Sequence, residues 1–240
     1  MEQFIFDDRN FSLMQNGKSI LVIEGDEHFH LSRVLRVGIG DRILATNGKG
    51  ATCLCVVTVM EKSRSVCEVL EKYDRLNCSV RSFRIGLAFL KPVSKMEMAV
   101  EKCTELGASG FVLFNTERSE RTNPRLDRLQ AIIKSAVKQS LQSRFPDLSI
   151  AEDLEKVVAG NVSFEEKIVL HEKAEEILDP GSLLPFVSKS VIALVGPEGG
   201  FSENEIALLK GNGYRSYSLG KARLRSETAA MKVASLLAAY

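Results

Sequence analysis

The chain has 240 residues, 45% hydrophobic and 26% charged, with a formal net charge of +1. That length holds one large domain or a medium and a small one, each with a substantial core, and the composition excludes a disordered or membrane protein. No apolar run approaches the ~20 residues that cross a bilayer, and Met1-Glu-Gln-Phe-Ile-Phe lacks the basic and long apolar regions of a signal peptide, so a cytoplasmic location is expected.

Two domains are expected, 1–74 and 75–240. The first reads as a small β-rich barrel: Ser19 to Ile23, a short helix from Asp26 to Leu35, then strands over Arg42 to Thr46, Ala51 to Met60 and Ser65 to Leu70. Gly38-Ile-Gly-Asp41 and Asn47-Gly-Lys-Gly50 supply residues that tolerate positive φ in tight connections. After the polar stretch Glu71 to Ser79, apolar strands alternate with longer helices, which predicts a parallel α/β sheet. Arg84 to Leu90 is its first strand. Ser94-Lys-Met-Glu97 reads as a capping box opening a helix that stops at Gly107, and Gly110 to Phe114 is the next strand. Asn123-Pro124 predicts the start of a helix through Leu141, with Ile133, Ala136, Val137 and Leu141 facing inward and Lys134 and Lys138 on another face.

Lys167 to His171 and Ser190 to Val195 are continuous apolar runs of the kind buried on both faces of a sheet, and ligands in such folds bind beyond the strands' carboxyl ends. Gly196-Pro-Glu-Gly-Gly-Phe201 follows there, before a helix capped by Ser202-Glu-Asn-Glu205. Three glycines and a proline exceed what a plain turn needs and suit close backbone approach to a ligand. The segment is neither a P-loop nor a dinucleotide loop. Tyr214 to Leu219 predicts a last strand. The stretch Leu219-Gly-Lys-Ala-Arg-Leu-Arg-Ser-Glu-Thr-Ala229 then reads either as an ordinary helix start capped by Ser226, or as a turn whose Arg225 serves recognition of phosphate or a polarised carbonyl.

Cysteines 53, 55, 67, 78 and 103 form no C-x-x-C pair and read as reduced and structural. His28, His30 and His171 lack metal-binding spacing, so no metal is expected. Charge is uneven along the chain. Arg118, Arg121, Arg125, Arg128, Lys134, Lys138 and Arg144 stand against Glu120 and Asp127, while Arg215, Lys221, Arg223, Arg225 and Lys232 stand against Glu227. Such runs are either solvated faces or the footprint of a phosphate-rich partner. Arg33 and Arg36, one helical turn apart, carry the same two readings.

These two glycine-containing segments, with Lys95-Met-Glu97, Lys102-x-Thr-Glu-Leu-Gly107, Glu117-Arg-Ser119 and His30-Leu-x-Arg-Val-Leu-Arg36, closely resemble the RsmE family of 16S rRNA uridine-N3 methyltransferases, within the SPOUT superfamily. The resemblance covers nearly the whole chain. It implies a PUA-like β-barrel followed by an α/β domain tied in a C-terminal trefoil knot, an obligate homodimer, S-adenosylmethionine as cofactor, and 16S rRNA of the small ribosomal subunit as partner, methylated at N3 of a decoding-centre uridine. By position, the cofactor would be held by Leu170, His171, Glu172, Gly196, Pro197, Glu198, Gly199, Gly200, Ser218, Leu219, Gly220, Leu224, Arg225 and Thr228. Arg225 is the catalytic candidate, with Glu198 or Glu227 as proton acceptor. RNA contacts are assigned to Arg33, Arg36, Arg118, Lys134, Lys138 and Arg144. The chain departs from the family pattern at Gln3, Leu141, Gln142, Ala222 and Arg223. A related enzyme acting on another RNA base or a 2′-hydroxyl, and a non-catalytic ribosome-assembly protein that binds RNA, are the alternatives.

Overall fold

The computed structural model describes residues 1–13, 17–120, 124–183 and 190–238. Its internal contacts divide the chain into two units, Met1–Cys78 with Val137–Phe145, and Ser79–Ala136 with Pro146–Tyr240.

The first unit comprises β1 (Gln3–Ile5), β2 (Phe11–Leu13), β3 (Ser19–Glu24), α1 (Gly25–Phe29), β4 (Arg42–Thr46), β5 (Ala51–Met60) and β6 (Arg64–Asp74). Its sheet runs in the order β1-β4-β5-β6-β3-β2, antiparallel except where β1 pairs with β4. Although consecutive in sequence, β1 and β2 lie at opposite edges. A flat six-stranded sheet separates its edges by five spacings of ~4.8 Å, yet the rings of Phe6, just past β1, and Phe11, on β2, lie 6.5 Å apart. The sheet is therefore curled nearly closed. Irregular register in the β5–β6 pairing, between Leu54 and Cys55 and between Val57 and Val59, adds the twist that curling needs. Phe4, Leu21, Ile23, Leu31, Ile43, Cys55 and Cys67 fill the interior. Alternation on β5 and β6 follows from one face being buried.

Val137–Phe145 closes against this sheet. The Gln3 side chain donates to Gln142 O at 2.7 Å, and the backbone amides of Gly50 and Phe145 donate to Ser143 O and Gly48 O at 2.9 Å. Gly48 has φ +69° and its bare Cα faces the Phe145 ring, where a methyl would come within 2.0 Å. Gln3 and Gln142, two of the departures from the family pattern, are thus joined by a buried hydrogen bond of the first unit.

In the second unit the elements are β7 (Phe83–Ala88), α2 (Val93–Glu105), β8 (Gly110–Phe114), α3 (Leu126–Gln139), β9 (Asp147–Ala151), α4 (Leu154–Gly160), β10 (Glu166–Leu170), β11 (Val191–Val195), α5 (Glu203–Gly211), β12 (Arg215–Tyr217) and α6 (Ser226–Leu237), the last turn of α3 counting with the first unit. All strand pairings are parallel, in the order β12-β10-β11-β7-β8-β9. Every residue of β8 and β11 is buried, as expected for strands covered on both faces. α6 packs on α2, β7 and β11.

Several local expectations are corrected. The helix after β7 is capped from Pro92 without a side-chain bond, so Ser94 is not an N-cap; Glu97 instead pairs with Arg128. Asn123 lies outside the described residues, as does Arg121, and α3 begins at Leu126. Leu129, Ile133, Ala136 and Val137 make its buried stripe, while Leu141 lies past the helix end with φ +55°. The final helix is capped at Arg225, not Ser226. The box at Ser202 forms in full, Ser202 Oγ accepting from Glu205 N and Glu205 Oε2 from Ser202 N. Strands β1, β2 and β9 and helix α4 were not anticipated; three-residue strands carry too little pattern, and the polar edge strand Asp147-Leu-Ser-Ile-Ala151 carries no buried run.

Candidate active site

A cavity of about 550 Å³ opens at the carboxyl ends of β10, β11 and β12. Three loops wall it: Leu170 to Lys173 after β10, Gly196 to Glu203 after β11, and Leu219, Gly220 and Ala222 to Ser226 after β12. The strands carry these loops to one edge because all three run the same way.

Each loop is shaped by a specific contact. Gly196 packs so closely under Phe201 that an added methyl would lie 3.1 Å from its ring, and that ring stacks on Phe114 at 6.5 Å. Gly200 has φ +66°, a conformation in which a side chain is strained. Arg118 donates to Gly199 O at 2.9 Å and lies along the bare Cα of Gly199. Glu205, buried at the start of α5, also accepts from Glu117 N at 2.9 Å, which ties the loop after β8 to the glycine segment. Across the mouth, Arg223 pairs with Glu172 at 3.7 Å, joining the first loop to the third.

The expected residues Leu170, His171, Glu172, Gly196, Pro197, Glu198, Gly199, Gly200, Leu219, Gly220, Leu224 and Arg225 all line this cavity. Ser218, Glu227 and Thr228 do not. Ser218 is buried, its amide donating to Glu176 O at 2.8 Å; Thr228 is exposed; Glu227 is buried, with Oε2 lacking a hydrogen-bond partner among the described residues. Phe201, the end of the glycine-rich segment, lines the cavity too, while residues that sequence reasoning missed include Ile206 and Tyr217. Alternation on β12 could have pointed to Tyr217, whose ring is buried and whose hydroxyl has no hydrogen-bond partner among the described residues.

The cavity is electrostatically mixed. Glu198 accepts from Lys95 Nζ at 2.8 Å. Burial pushes its carboxyl up, but the Lys95 bond and charge, with backbone donors, outweigh this and hold it below the usual range. Burial, helped by Lys173, lowers the pKa of His171 and favours the neutral imidazole. Arg225 is exposed and makes no ion pair among the described residues.

The expected RNA contacts do not share one state. Arg33, Arg36, Lys134 and Arg144 are exposed. Arg118 lines the cavity. Lys138 is half-buried and bonded to both oxygens of Glu27 at 2.9 and 3.0 Å. Within the same basic stretch, Arg125 and Arg128 are paired with Asp127 and Glu97.

A parallel α/β unit with a glycine-walled cavity at its strand ends, in one chain with a curled β unit, matches the RNA methyltransferases: the family model described as an RNA methyltransferase domain covers residues 78–238, and that of the RNA methyltransferase PUA domain covers residues 23–70. The ribosomal RNA small subunit methyltransferase E of Mycobacterium bovis is 30% identical over 230 residues, covering 88% of this chain and 83% of its own; that of Bacillus subtilis is 26% identical, covering 90% and 88%. The crystal structure of the Neisseria gonorrhoeae enzyme of that name, bound to S-adenosylmethionine, superposes with a TM-score of 0.85 at 26% identity over 98% of this chain and 95% of its own. The chain belongs to the ribosomal RNA small subunit methyltransferase E family.

Proposed function

We propose that this protein is a cytoplasmic homodimer that transfers a methyl group from S-adenosylmethionine to N3 of a decoding-centre uridine in 16S rRNA of the small ribosomal subunit. The cavity carries the reading. Its volume lies within the ~300–1,000 Å³ range of small-molecule sites, and its glycine wall admits close backbone approach, with open space at the bare Cα of Gly200 and Gly220. Those features fit S-adenosylmethionine, which when bound supplies an electrophilic methyl on a sulfonium sulfur.

On this reading Leu170 to Glu172, Gly196 to Gly200 and Leu219 to Arg225 hold the cofactor. N3 of uracil must lose its proton before it becomes nucleophilic, which leaves negative charge on the imide. Arg225, unpaired among the described residues and in the cavity wall, stabilises that charge at O2 or O4 as an oxyanion hole does. Glu198, in the wall and kept ionised by Lys95, takes the proton directly or through water. Glu227, outside the lining, is the second candidate acceptor. Alignment of the two reactants supplies much of the remainder, ~7 kcal/mol at the low end for well-oriented groups. Residues 1–74 form the PUA-like RNA-binding domain and 75–240 the methyltransferase domain. The strand order supports the C-terminal trefoil knot: β12 docks outside β10, and the chain then returns as α6 to pack on α2, β7 and β11.

The test is transfer of labelled methyl from S-adenosylmethionine onto small subunits from a strain lacking this protein, followed by mapping of the modified base. Label on a uridine N3 is expected. Label on another base or on a 2′-hydroxyl, or absence of both transfer and cofactor binding by calorimetry, overturns the reading. A monomeric mass by light scattering overturns the homodimer.

A further inference from the structure

Within the first unit, among the described residues, α1 is fixed by one side. His28 Nδ1 bonds Ser65 Oγ at 2.9 Å, Leu31 is fully buried, and Glu27 accepts from Ile5 N at 3.1 Å and from Lys138. Beyond Phe29 the chain leaves regular α-helix: His30–Val34 forms a π-helical turn closed by Leu35 N donating to His30 O at 3.0 Å. Arg36 then sits in the left-handed region, φ +54°, where glycine is the usual occupant. A π turn and a strained non-glycine residue in sequence are costly, and such features gather at functional sites.

The free side of this segment is apolar and cationic together. Phe29 is 61% exposed, and Val34 and Ile39 are exposed to 55% and 68%. Arg33 follows Phe29 at the i+4 position, adjacent on a helical surface. The side chains of Arg33, Arg36 and Arg42 are all exposed and make no hydrogen bond or ion pair among the described residues. An exposed aromatic ring beside unpaired guanidinium groups suits a partner with a flat π face and a phosphate backbone, as a single-stranded RNA has.

We propose that Phe29 is a stacking platform for an unpaired RNA base, with Arg33 and Arg36 contacting the phosphates on either side of it. The proposal rests on the reading of the chain as an RNA methyltransferase and adds the class of RNA it grips: a single strand or loop with a splayed base. A duplex offers no free base face, so the platform discriminates against it.

The chain has no Trp, so Phe29→Trp introduces a single fluorophore at the platform. Titration with a short uridine-rich single-stranded RNA is expected to quench its emission to saturation, with little response to the corresponding duplex. Phe29→Tyr should bind the single strand as the wild type does, and Phe29→Ala about tenfold more weakly with an unchanged salt slope, since stacking carries no charge. Emission that stays unquenched at saturating RNA, or Phe29→Ala binding equal to wild type, overturns the proposal. So does an emission shift produced by RNA-free small-subunit proteins but not by RNA, which assigns the surface to a protein partner. Labelled-methyl transfer by the wild-type protein, run in parallel, separates the two levels. Quenching without transfer removes the methyltransferase reading and keeps the platform; transfer without quenching does the reverse.

Discussion

Arg225 and Glu198 face the same cavity in opposite electrostatic states. Arg225 has no counter-ion among the described residues, so its field is available to a developing imide anion. Arg225→Ala should therefore lower kcat by ~100- to 1,000-fold, the usual effect of removing one such donor, with a much smaller loss of cofactor affinity by calorimetry, since Arg225 is one of many groups assigned to hold the cofactor. A loss confined to cofactor affinity would contradict the assigned role. Glu198 is held ionised by Lys95 against the opposing effect of burial. Its base form is lost as pH falls through that lowered pKa. Removing Lys95 leaves burial opposed only by the backbone donors and raises the pKa, so Lys95→Met should move the acidic limb of the kcat/KM profile to higher pH. A limb that stays in place would show that Glu198 is not the group titrating there.

At the scale of elements, the glycine loop depends on the helix behind it. Glu205 satisfies Ser202 N and Glu117 N together from a buried position. Truncating it strands two backbone donors, which costs ~1–3 kcal/mol for each buried group left unpaired. Glu205→Ala should accordingly lower the thermal midpoint and weaken cofactor binding, while Ser202→Ala, which loses a single cap bond, should cost about 1 kcal/mol. Equal effects of the two would argue against the bridge to Glu117. The capping box at Ser202 was legible because its two reciprocal bonds lie within four residues. The box at Ser94 had the same pattern and did not form: the helix starts at Val93, one residue before Ser94, and Glu97 is drawn to Arg128 on another helix. Local pattern loses where a distant partner of opposite charge is within reach.

At the scale of the whole molecule, net charge of +1 hides the basic surfaces, and tertiary pairing decides which of them remain free. Arg125, Arg128 and Lys138 are matched by carboxylates, whereas Arg33 and Arg36 have no such match among the described residues. Single-stranded RNA affinity should fall with salt, and Arg33→Ala and Arg36→Ala should each reduce the logarithmic slope by ~0.7. Lys138→Ala should leave that slope unchanged and instead reduce stability, because it leaves Glu27 without its cation. A steeper loss of slope for Lys138→Ala than for Arg33→Ala would reverse this assignment.

By itself the sequence determined the two kinds of structure and the location of the cavity. Apolar runs buried on both faces, followed by glycine-rich turns and helix caps, are local signals, and they led to the ends of β10, β11 and β12. Only the tertiary structure decided which side chains face the cavity and which charges are spent internally. Ser218 and Thr228 are each next to a lining position yet do not line the cavity, Arg118 turns from the basic stretch to the carbonyls of the glycine loop, and Tyr217 enters the wall unannounced. Ser218 is held by Glu176 and Arg118 by Gly199, partners brought close by folding from distant parts of the chain, and no pattern within a short window encodes them.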